Sequence, residues 1–189
     1  MEENFQLRQK IVIRPKQSAP IVSTFKKMIV KLNWDFDVDL DLMAFYKTKS
    51  GSSSGIFSTL LGVDGSGGKL DSFPFIEHGG DVIGGSGNEE SIKISSLDDI
   101  AELYIIVLNY ADAADNKTAN FGQYGGLVSV KTDAGDNLEV ALDSTEIGHV
   151  MVICKIDNST GAPSLVNENK VLSLGSFLQQ IPGANLLLA

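Results

Sequence analysis

Four aspartates alternate in the stretch "WDFDVDLDLMAFY" (34–46): Asp35, Asp37, Asp39 and Asp41, interleaved with Phe36, Val38, Leu40 and Leu42. Alternation with a period of two predicts a half-buried β-strand over 34–46, with the apolar side chains on one face and the carboxylates on the other. Carboxylates two residues apart on a strand sit roughly 7 Å from each other. Each neighbouring pair then repels by about 2 kcal/mol at an effective dielectric near 20, and by about 0.6 kcal/mol in bulk water. Two readings remove that repulsion. Water and salt screen the charges on a solvated face, or a hard cation shares them. Calcium takes six to eight oxygens, and a row of alternate residues cannot all reach one ion. Two of the aspartates would bind, helped by backbone carbonyls and by a second segment.

Known acidic motifs fit this row poorly. An EF-hand loop needs glycine at its sixth position and an acid at its twelfth. Counted from Asp37 these are Leu42 and Thr48, and counted from Asp35 they are Leu40 and Tyr46. An Asp-x-Asp nucleotide-sugar site would call for an α/β chain, which the remaining sequence does not offer. A phosphotransferase-type Asp-x-Asp-x-Thr/Val would need a threonine or valine where Asp39 or Asp41 stands.

The second oxygen-rich segment is "HGGDVIGGSGNEES" (78–91). Its glycines let the backbone turn tightly and aim carbonyls inward. Asp81, Asn88, Glu89 and Glu90 add side-chain oxygens, and Gly85 is a candidate backbone ligand. The bland alternative is a hairpin loop. It is not a P-loop, since no Gly-Lys-Ser/Thr follows. Catalytic chemistry has little to work with. His78 and His149 are the only histidines, and the one cysteine, Cys154, lies inside the apolar run "VMVIC" as an inert core thiol. No Ser/His/Asp or Cys/His spacing emerges, so the chain is expected not to be an enzyme.

The elements that must position these residues are mostly strands. Candidates are 10–14, 26–34, 56–63, 90–96, 103–110, and the runs "GLVSVKT", "LEVAL" and "HVMVICKID". The run "LYIIVLNY" is nearly all apolar, which predicts burial on both faces. The Ser/Gly stretch 47–55 reads as a hairpin loop. Helical promise is confined to "SSLDDIAELY" and to the tail before Pro182. The expected fold is all-β: a two-sheet antiparallel sandwich with long acidic and Gly-rich loops and a short C-terminal helix, as a single domain over 1–189. The chain has 189 residues, a net charge of −9 and a pI of about 4.6. That balance disfavours nucleic acid and favours cations or basic partners. A single cysteine, no secretory signal and no apolar run of membrane-spanning length predict a cytoplasmic protein without a transmembrane segment.

Taken together, four stretches resemble the TerD-like family of tellurite-resistance and stress-response proteins, over roughly residues 6–155. The opening "LRQKIVIRPKQSAPIVSTFKKMIVKLNWD" is similar to that family's start, ending in the Trp34–Asp35 pair. "DVDLDLMAF" matches Asp-x-Asp-x-Asp-x-x-Ala-Phe through Asp37, Asp39, Asp41, Ala44 and Phe45. "HGGD" with "SIKI" looks like the family's His-x-Gly-Asp and Lys-Ile strand, and "NFGQYGG" like its Phe-Gly-Gln segment. The resemblance implies a β-sandwich that binds one or two calcium ions through Asp37, Asp39, Asp41 and Asp81, with backbone carbonyls near Gly84–Gly87 completing the site. It also implies action through protein partners, at membrane-associated complexes. The chain departs from the family in its second loop, where Val82 and Ile83 replace polar residues and several acids are missing. Asn88, Glu89 and Glu90 are the residues that would replace them. The alternative role is a structural or assembly protein, self-associating into a homo-oligomer or larger particle, with weakened or lost metal binding. The apolar tail "GANLLLA" and the basic arm "LRQKIVIRPKQ" suit that alternative.

Overall fold

The computed structural model describes residues 4–79 and 88–188. In chain order the strands are β1 (Ile11–Val12), β2 (Ser18–Pro20), β3 (Met28–Asn33), β4 (Asp41–Thr48), β5 (Ser53–Ile56), β6 (Gly68–Lys69) and β7 (Ile76–His78). They continue with β8 (Glu89–Ile94), β9 (Ile100–Leu108), β10 (Leu127–Thr132), β11 (Asn137–Ala141), β12 (Val150–Asp157) and β13 (Ser164–Leu172). Helices α1 (Tyr110–Ala114) and α2 (Leu174–Gln180) and three short 3₁₀ turns complete the described elements.

The strands form two sheets. One has the order β1-β11-β10-β3-β8-β7-β6, the other β2-β13-β12-β9-β4-β5. Every pairing is antiparallel except β1 with β11. The expected all-β, two-sheet sandwich is therefore the fold. In the seven-stranded sheet β3, β8, β10 and β11 bury alternate residues, so one face packs inward and the other meets solvent.

The six-stranded sheet is covered on both faces. Leu42, Ala44 and Tyr46 of β4, with Leu103, Ile105 and Val107 of β9, enter the core between the sheets. Their neighbours Met43, Phe45, Ile106 and Leu108 enter a second core on the outer face. The predicted two-faced burial of the run 103–110 is what β9 shows. Phe177 of α2 packs edge-on against Phe45 at 5.5 Å between ring centres, and Ala184, Leu186 and Leu187 close the layer. The apolar tail thus docks on its own chain, with α2 at the expected place before Pro182. In β12 a bulge between Val152 and Cys154 resets the alternation, and both Ile153 and Cys154 face the inter-sheet core.

Several expectations fail. The strand predicted over 34–46 begins only at Asp41, and residues 34–40 are a loop. Trp34 is the reason: its buried indole N–H donates to the Val38 carbonyl at 2.8 Å, and Val38 N–H donates to Phe36 O at 2.9 Å. A buried indole needs a hydrogen-bond acceptor, and this local turn supplies one at the cost of extended backbone. Phe36, expected on the buried face, is 55% exposed. The strand expected at 56–63 stops at Ile56, where Ser58 caps a 3₁₀ turn over Thr59–Leu61. "SSLDDIAELY" is a turn running into β9 rather than a helix.

Candidate metal site at one end of the sandwich

The strand registers bring the acidic segments together. The end of β3 pairs with the start of β8 (Asn33 with Glu89) and with the start of β10 (Asn33 with Leu127). The loop 34–40, the residues at 78–79 and 88–90, and the segment before β10 therefore meet at one end. Hydrogen bonds tie them. Asn88 accepts from Trp34 N–H through its carbonyl (3.1 Å) and donates from Nδ2 to Phe36 O (2.7 Å). Asp35 N–H donates to Tyr124 O at 3.0 Å. Gly125, at φ +64°, lies so close that a Cβ there would stand 2.4 Å from Asp35 Oδ2. The stretches "WDFDVDLD", "NEE" and "NFGQYGG" are thus one structural unit.

The aspartates occupy different environments. Asp37 and Asp39 are exposed in the loop. Asp41 opens β4, and its Oδ2 accepts the backbone N–H of Tyr110 at 2.8 Å. Glu89 is a surface residue whose carboxylate lies 3.3 Å from Lys31 Nζ.

Glu90 is only 7% exposed, and its Oε2 accepts Leu42 N–H at 2.6 Å. His78 Nε2 lies 3.0 Å from Leu42 O and 3.8 Å from Glu90 Oε2. A carbonyl only accepts, so Nε2 carries the proton and donates. These two side chains answer a need created by the topology. Strand β5 pairs with β4 only from Ala44 onward, which leaves the Leu42 peptide at an unpaired edge. Glu90 and His78 from the opposite sheet satisfy both of its polar groups. The sequence placed both residues in the acidic segment, but showed no sign of this clamp.

Asp81 and Gly85 lie outside the described residues. Among the described residues no group of three or more His, Cys, Asp or Glu is arranged to hold a metal. The donors fit calcium in kind, since Asp37, Asp39 and Asp41 are hard oxygen ligands at one end. Among the described residues they fall short in number of the six to eight oxygens calcium takes. Asn88, Glu89 and Glu90, expected as replacement ligands, each have a protein partner.

The remaining candidates for chemistry are locked into structure. Cys154 is fully buried, and burial, aided by the Glu168 charge, pushes its thiol well above the ordinary range. His149 Nδ1 accepts from Leu174 N–H at 3.1 Å, while its buried Nε2 has no partner among the described residues. Among the described residues no helix is long and apolar enough to cross a membrane.

No family model matches the chain, and no curated protein matches it. Among solved structures, it is similar to the crystal structure of an unknown-function protein, SAV2460, at 11% identity over 81% of this chain and 94% of that one, with a TM-score of 0.48. A likeness that distant assigns neither family nor function.

Proposed function

We propose that this protein is a calcium-binding β-sandwich module of the tellurite-resistance and stress-response type, acting in the cytoplasm by binding partners rather than by catalysis. One observation carries the reading. Stretches that resemble the family, far apart in sequence, are hydrogen-bonded in pairs: Asp35 N–H donates to Tyr124 O, and His78 Nε2 donates to Leu42 O. Asp37 and Asp39 stand exposed at one end of the sandwich, with Asp41 beside them at the start of β4. A calcium ion there would order the loops into a surface for a partner. Isothermal titration with calcium tests it, using the Asp37→Asn/Asp39→Asn double variant as control. The wild type should bind with a dissociation constant in the micromolar-to-millimolar range of sensor and extracellular sites, about 10⁻⁶–10⁻³ M. The variant should lose at least tenfold. Equal heats from both proteins would sink the assignment.

A second reading is favoured by a different observation. Asp41, Asn88, Glu89 and Glu90 all find protein partners without an ion. A fold that neutralises these groups internally suits a structural or assembly protein. The tail does not supply its interface, because it packs on its own chain.

A further inference from the structure

The outer face of the seven-stranded sheet carries two abutting grooves. One, of about 240 Å³, lies between Phe5 and Leu7 of the N-terminal arm and Ile29, Lys31, Ser129 and Lys131. The other, of about 280 Å³, is bordered by Lys26, Lys27, Leu70 and Lys93, and shares Ile29 with the first. The register explains the cluster. Lys131 of β10 and Lys93 of β8 stand directly opposite Ile29 on either side, and Lys31 is two residues along β3. Neighbouring strands are about 4.8 Å apart and residues two apart on a strand about 7 Å, so the backbone positions of three lysines ring one apolar residue. Among the described residues no carboxylate lines either groove. At the margin Glu89 pairs with Lys31, and Glu77 stands opposite Lys93. Lys93 and Lys131 form no salt bridge among the described residues. Such a surface in a chain of net charge −9 calls for an occupant that is anionic and partly apolar.

The chain itself carries one. Loop residues 35–39 present Phe36, 55% exposed, between the exposed acids Asp35, Asp37 and Asp39. We propose that the aspartate loop of a second copy docks on this lysine face, with Phe36 over Ile29 and the aspartates among Lys31, Lys93 and Lys131. The loop cannot reach its own face. It starts beyond Asn33, four residues or about 13 Å along β3 from Ile29, and Tyr124 and Asn88 hold it there. Loop and face are different surfaces, so the contact is heterologous and repeats from copy to copy into a ring or filament. The inference gives the assembly reading its two surfaces and rests on that reading. It does not depend on calcium.

Sedimentation velocity in chelator at low salt tests it with three proteins: wild type, Lys93→Glu/Lys131→Glu, and Asp37→Lys/Asp39→Lys. All substituted side chains are exposed, and circular dichroism checks that the variants fold. Wild type should self-associate, and salt of about 0.5 M should dissolve the assemblies by screening. Each variant alone should associate at least tenfold more weakly. An equimolar mixture should associate more tightly than either variant alone, because each keeps one intact half of the contact and the two reversed halves carry opposite charges. A wild type that stays monomeric overturns both the inference and the assembly reading. Variants that assemble like wild type overturn only the inference. A monomer whose lysine face binds phosphatidylserine vesicles also overturns it, and reassigns the face to anionic lipid.

Discussion

Glu90 and His78 show how a residue chosen for its chemistry can serve the fold instead. Both are buried, and both are committed to the Leu42 peptide. Glu90→Ala would leave a buried N–H without its acceptor, which costs about 1–3 kcal/mol. Urea denaturation should show that loss with an unchanged slope, whereas an unaffected midpoint would mean that Leu42 finds another partner. Tyr104 makes a second residue-scale prediction. Burial first, and the neighbouring Glu102 next, raise its phenol to about 12. A raised folded-state pKa favours the neutral phenol in the native protein. Its contribution to stability is therefore complete below the unfolded value near 10 and is lost as pH rises through about 12. A tyrosinate absorbance titration should show a late-ionising component that moves to ordinary values in urea. If all four tyrosines ionise together near the ordinary value, the burial of Tyr104 is wrong.

At the scale of elements, the six-stranded sheet depends on its helical cover. Phe177 of α2 is fully buried against Phe45. Phe177→Ala should cost about 3–5 kcal/mol through lost transfer energy and a cavity. Calorimetry would detect this as a fall of many degrees, and a fall of under two degrees would show that α2 is not seated. The sheets themselves were largely legible. Strands β3, β8, β10 and β11 carry a clean period of two, and β9 and β12 carry continuous apolar runs. The failures have physical causes. Strand β13 was missed because "SLVNENKVL" places Asn167 at an inward position. There it is buried and donates from Nδ2 to Ile13 O at 2.8 Å, a long-range partner that no local pattern reveals. The aspartate row misled in the opposite direction. It has a strand's period, but the Trp34 indole bond bends it into a loop. The four-aspartate face that raised the repulsion problem does not exist as such. In the loop Asp35, Asp37 and Asp39 are exposed to water, and Asp41 accepts the Tyr110 N–H.

At the scale of the whole molecule, charge is unevenly distributed. The aspartate loop projects from one end of the sandwich, while lysines collect around Ile29 on the outer face of one sheet. This polarity gives the protein two surfaces that differ in what they attract. Thermal melting with calcium, with magnesium and with chelator shows whether the acidic end holds an ion. Calcium at 100 times its dissociation constant adds about 2.7 kcal/mol to a protein that binds it only when folded, worth several degrees for a chain of this size. Calcium should raise the melting temperature by an amount that magnesium does not match and that Asp37→Asn/Asp39→Asn removes. Identical melting temperatures in all three conditions would contradict calcium binding there, and leave the acidic end a hydrated surface.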